Sequence, residues 1–174
     1  MKFKIVGPFK LQKGQNGLPK FDLISIRAFW NSVSKRDPNL ANACGCYIYA
    51  NKAGLGSKPW YVGKAVSQSL CHEVFAPHKR SIYQSASANK KGTPQLFFIA
   101  LQTRSGRYAR PNKNFNTQIS FLETLLIGAS IDKNYKLLNI QKTKFLKEMV
   151  VPGFFNSPKR RKSNNEKNFA SMIR

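Results

Sequence analysis

Seven carboxylates stand against thirty Lys and Arg in this 174-residue chain. Carboxylate-based metal binding or acid–base chemistry must therefore draw on Asp22, Asp37, Glu73, Glu123, Asp132, Glu148 or Glu166. Glu123 is the conspicuous one, because residues 117–130 around it are otherwise strongly apolar. Burying an ionised carboxylate without a partner costs several kcal/mol or raises its pKa. Glu123 therefore needs either a divalent cation or a salt bridge to Lys or Arg, and in so basic a chain both readings stand. Two phenols could handle protons or hydrogen-bond a phosphate. Tyr47 lies in Gly45-Cys46-Tyr47, Tyr61 in Tyr61-Val62-Gly63-Lys64, and a short turn-rich stretch separates them. Hairpin strands about 5 Å apart would aim both rings into one pocket, with cross-strand core packing as the alternative. Lys79 and Tyr83, four apart, share one helix face and point a cation and a phenol into the same space. The plainer reading is a lysine covering an aromatic ring. His72 and His78 lack a second ligand at metal-binding spacing. Glu73, near a helix start, suits the helix dipole. Cys44, Cys46 and Cys71, odd in number and without paired spacing, read as reduced thiols rather than zinc ligands.

The elements that must position these groups can be read from pattern. Residues 1–11 alternate like an opening strand, and 23–34 carry Ile24, Ile26, Phe29, Trp30 and Val33 at helical spacing. Residues 45–50 and 60–62 form the two arms of a hairpin around a loop at 51–59. Residues 67–88 read as a helix in two pieces, the second opened by Pro77, whose missing N–H costs little there. Residues 95–102 form a buried strand and 103–116 a basic loop. Residues 117–130 read as a helix apolar nearly all round and hence buried, and 135–140 as a short last strand. Beyond residue 142 the pattern decays into a tail with a basic cluster at 158–162, either a solvated end or a phosphate-gripping arm.

At 19.7 kDa the chain suits one domain with appended segments. Thirteen Phe, six Tyr and two Trp supply a real core. A formal charge of +23 points to a polyanion, because neutralising phosphates releases counterions. No apolar run is long enough for a membrane span and no secretory h-region opens the chain, so the expected location is cytoplasmic, with no membrane partner. A noncatalytic, nucleic-acid-coating protein is the competing class.

In order, the two tyrosine triads, a helical cation with an aromatic, a helical glutamate and a late asparagine resemble the GIY-YIG endonuclease family over residues 44–141. The resemblance implies an α/β (α+β) fold with a small three-stranded antiparallel sheet flanked by helices. It divides the chain into an N-terminal extension (1–42), a nuclease core (43–141) and a basic tail (142–174). It further implies DNA rather than RNA as substrate and hydrolysis of a phosphodiester to leave a 5′-phosphate. One Mg²⁺ or Mn²⁺ would be held by Glu123. Tyr47 and Tyr61 match the triad tyrosines, Lys79 and Tyr83 the basic–aromatic pair, and Asn139 the late asparagine. The chain departs from the family in having Cys46 for the usual Ile and Lys79 for the usual Arg, with Arg80 adjacent as a second candidate cation. On this reading Tyr47 is the general base, its pKa lowered from about 10 toward 7 by the metal and nearby cations. Lys64, with Lys79 or Arg80, binds phosphate, Tyr61 and Tyr83 position water or phosphate, and Asn139 braces the site.

Overall fold

The computed structural model describes residues 1–173 except Leu55 and Pro158. Its strands are β1 (Lys2–Lys10), β2 (Gly45–Ala53), β3 (Gly56–Ala65) and β4 (Thr93–Gln102). Its helices are α1 (Leu23–Arg36), α2 (Leu70–Glu73), α3 (Pro77–Ser87), α4 (Asn116–Lys133), α5 (Thr143–Glu148) and α6 (Asn164–Ile173). The strands form one antiparallel sheet in the order β1-β4-β2-β3. The fold is α+β, with four strands where three are expected. The fourth is β1, which pairs with β4 from Lys2↔Gln102 to Lys10↔Gln95. Residues 1–42 thereby share the sheet's core, since Val6, Phe9, Phe29 and Val33 pack in one cluster with Tyr47 and Phe98.

Side-chain alternation sorts the sheet into two faces. Tyr47, Tyr49, Leu96 and Phe98 point to an aromatic-rich layer with Phe29 of α1 and Tyr83 of α3. Cys46, Ile99, Leu101 and Val62 point the other way, onto Ile119 and Ile127 of α4. β2 and β4 are central and read as continuous apolar runs because both faces are covered. β3 is an edge strand, which accommodates Pro59 without a lost ladder bond. Pro77 opens α3 as expected. Asp22 caps α1, its carboxylate accepting from the Ser25 N–H at 2.9 Å.

Three expectations need correction. The hairpin loop is shorter than residues 51–59, because β2 continues to Ala53 and β3 resumes at Gly56; Leu55 of that loop lies outside the described residues. Residues 135–140 form no strand. They run beside β3 all the same, through the Leu138 N–H donating to the Trp60 carbonyl at 2.9 Å and through the Asn139 side chain. Third, α4 is not buried all round. Its packing face lies on β3, while Phe121 and Leu125 on the other side stay 66% and 55% exposed.

The tail is more ordered than its sequence pattern. Leu146 of α5 packs against the cluster holding Ile127 and Ile131. α6 begins with a capping box, Ser163 and Glu166 each accepting from the other's backbone N–H. Arg160 pairs with the same Glu166 carboxylate at 2.6 Å, so part of the basic cluster at 158–162 (Pro158 itself lies outside the described residues) is neutralised within the chain. That Ser-x-x-Glu spacing was the available sequence signal. Among the described residues no helix is long and apolar enough to cross a membrane.

Candidate active site

The free edge of β3 carries the site, because alternation sends its neighbouring side chains to opposite faces. Tyr61 turns toward α3, and Lys64 toward α4. A cleft of about 700 Å³ opens across that edge, lined by Tyr61, Lys64, Glu73, Lys79, Glu123 and Asn139 among others. On the α3 side the Lys79 ammonium donates to the Tyr61 hydroxyl at 2.5 Å and lies 3.7 Å from Glu73. On the α4 side Lys64 donates to the Ser120 hydroxyl at 2.7 Å and stands 3.4 Å from Glu123. Lys142 reaches the same Glu123 oxygen, Oε2, at 3.0 Å. The salt-bridge reading of Glu123 therefore describes what the carboxylate touches here. Asn139 clasps the edge itself: its carbonyl accepts from the Val62 N–H at 2.9 Å and its amide donates to the Val62 carbonyl at 2.7 Å. Its amide stands in for a paired strand's peptide and holds β3 in register between Tyr61 and Gly63.

Three predicted site residues sit elsewhere. Tyr47 lies on the same sheet face as Tyr61, rings 6.3 Å apart, but it is fully buried and does not line the cleft. Among the described residues its hydroxyl makes no hydrogen bond of good geometry, the neighbouring Tyr83 hydroxyl donating to Val74 instead. Burial first, then the neighbouring Tyr83 and Tyr61 phenols, pushes its pKa well above 10.0. Burial thus acts against the expected lowering, and Lys79 and Lys64 contact Tyr61 and Glu123 instead. Tyr83 is also buried, stacked on Tyr49 at 4.3 Å, and its hydroxyl donates to the Val74 carbonyl at 3.0 Å. Arg80 turns away from the cleft. Its Nε donates to the Phe75 carbonyl at 2.6 Å, which fastens the α2–α3 connection. Consecutive helical residues lie about 100° apart, so Lys79 and Arg80 cannot both face the cleft, and Lys79 is the one that does.

Both triad glycines have a packing reason. A Cβ on Gly63 would overlap the Tyr47 ring, which lies across it on the partner strand. Gly45 has φ 151°, and a Cβ there would overlap the Ile99 carbonyl of β4. The orphaned Tyr47 hydroxyl sets an expected outcome for Tyr47→Phe. Removing a buried, unsatisfied polar group recovers about 1 kcal/mol, so calorimetry should show an unchanged or raised Tm, with activity on any substrate changed less than about threefold.

Lys142 is the cleft residue that pattern reading missed, since it follows the last periodic segment. It adopts φ 66° ahead of α5. His78 also lines the cleft. Among the described residues no three His, Cys, Asp or Glu side chains gather as a metal cluster, and Glu123 is the cleft carboxylate that the sequence reading gives to a metal. One hard oxygen facing an open, wettable cleft fits an ion that keeps most of its water, as Mg²⁺ does. Lys142 competes for that oxygen. Lys64 is anchored by Ser120, whereas Lys142, among the described residues, has otherwise only a 3.5 Å contact to the Ser120 carbonyl, so Lys142 is the cation to be displaced. Lys142→Met should tighten Mn²⁺ binding, followed by the electron spin resonance of free Mn²⁺, about tenfold. Lys64→Met should change it less.

Compared with family models, curated proteins and solved structures, the chain finds no match.

Proposed function

We propose that the cleft along β3 hydrolyses phosphodiester bonds of DNA with the help of one divalent metal. The observation that supports this reading is the pairing of two units across one strand edge: a carboxylate–lysine group (Glu123, Lys64, Lys142) and a phenol–lysine pair (Tyr61, Lys79). A metal ion held by Glu123 would supply Lewis-acid charge for the phosphate and for the leaving oxygen. Lys64 and the released Lys142 would neutralise the nonbridging oxygens as charge builds. Water's oxygen bonds to phosphorus and the bond to the 3′ oxygen breaks, leaving a 5′-phosphate and a 3′-hydroxyl. Tyr61, rather than Tyr47, takes the proton-handling role, because it lines the cleft and its hydroxyl accepts from the Lys79 ammonium. Asn139 and Tyr83 act through the scaffold, Asn139 by fixing β3 and Tyr83 by packing.

The reading is tested by comparing Tyr61→Phe with Tyr47→Phe on a radiolabelled oligonucleotide. Tyr61→Phe should lower the cleavage rate about a hundredfold, the scale of losing a positioned acid–base group, while Tyr47→Phe stays near wild type. The reverse order would return the base to Tyr47. The rival reading, a noncatalytic nucleic-acid-binding protein, draws support from the two lysines that already neutralise Glu123. It predicts no metal-dependent cleavage by any variant.

A further inference from the structure

The cleft is one end of a longer groove. It shares Ser67 and Gln68 with a second hollow of about 600 Å³, which in turn shares Asn42 and Arg110 with a third of about 810 Å³. Cations line both ends, with Lys64, Lys79 and Lys142 at the cleft and Arg110, Arg107 and Lys4 at the far end. The lining acids, Glu73 and Glu123, lie at the cleft end and each already has a lysine within 4.0 Å. Arg107 and Arg110 are exposed and, among the described residues, have no carboxylate within 4.0 Å. They belong to residues 103–115, where Arg104, Arg107, Arg110 and Lys113 recur every third position with no acid between them.

We propose that this groove is the track for one strand of a nucleic acid, with Arg107 and Arg110 binding backbone phosphates several nucleotides from the bond held in the cleft. The inference rests on the phosphodiesterase reading for the placement of that bond. An arginine fork presents paired N–H groups to phosphate, and contacts of this kind fix position on the strand without reading sequence. The track puts the main grip on the loop after β4, ahead of the basic tail, where Arg160 is already paired.

The test uses the full chain with a fluorescein-labelled 30-nucleotide duplex in EDTA, following anisotropy across a salt series. Arg107→Ala/Arg110→Ala should weaken binding at least tenfold and flatten the log–log salt slope by about two, since each lost phosphate contact removes about 0.9. Arg107→Lys/Arg110→Lys should restore most of the slope, because the charge returns. Lys159→Ala/Arg161→Ala, with the same loss of charge in the tail, should have a smaller effect. Hydrolysis of bis(p-nitrophenyl) phosphate, which fills only the cleft, should be unchanged by the Arg107/Arg110 pair. An unaltered slope in Arg107→Ala/Arg110→Ala, or an equal loss from the tail pair, would overturn the track. Binding that depends on the two arginines in a protein that cleaves nothing would keep the track and overturn the catalytic reading. A wild-type protein that binds no nucleic acid would overturn both.

Discussion

Glu123→Gln should reduce DNA cleavage by about a thousandfold or more while leaving DNA binding intact or tighter. The carboxylate would carry the metal, and losing a preorganised charge-stabilising group costs rates on that scale. Binding moves the other way, because the variant removes a negative charge from a cleft that must accept phosphate. The fold should tolerate the change. Gln keeps the shape and an acceptor oxygen, and Lys142, a third exposed, can turn to solvent. Partly exposed ion pairs contribute about 0–1 kcal/mol, so Tm should fall by no more than about 4 °C. Cleavage within tenfold of wild type would remove Glu123 from the chemistry and leave it a salt-bridge hub.

Gly63→Ala should be strongly damaging for one added methyl. The Cβ enters the space of the Tyr47 ring, which is fully buried with the Tyr61 and Tyr83 rings close by and cannot retreat. Overpacking of this kind costs about 1–3 kcal/mol and sometimes more, which in a domain this size lowers Tm by about 2–12 °C. Any relief by shifting β3 would pull Tyr61 from Lys79 and Lys64 from Glu123, so activity should fall with stability. Gly56→Ala in the same strand meets nothing within 4 Å and should leave both unchanged. Tyr47→Val should be costly alone but should partly rescue Gly63→Ala. Non-additivity of that sign in a double-mutant cycle would identify the ring as the obstacle. Additive losses would place the damage elsewhere.

Much of the fold was legible because its signals are local. The helix at Pro77, the apolar run of β4 and the spacing of Phe29 and Val33 each carry their own periodicity, and all three appear as elements. The fourth strand was read as a strand but not as part of the sheet, because its pairing with β4 spans most of the chain. The last strand failed for a different reason: Asn139 replaces a backbone ladder with one side-chain amide, which no periodicity reveals. For the site, the cleft side chains Tyr61, Lys64, Lys79, Glu123 and Asn139 were named from types and order. The depth of Tyr47 is not legible in the sequence: both tyrosines share a sheet face, and alternation says which face a ring takes but not how deeply the neighbouring helix buries it. Lys142 was invisible because nothing before the folded structure says where a nonperiodic segment returns.

The most direct measurement is conversion of supercoiled plasmid to nicked circles across a Mg²⁺ and Mn²⁺ titration, with wild type and Glu123→Gln side by side. The account predicts nicking by the wild type that rises with metal, disappears in EDTA and is absent from Glu123→Gln, with 5′-phosphate at the nick. Equal nicking by the two proteins, or none by either at any metal concentration, would contradict it.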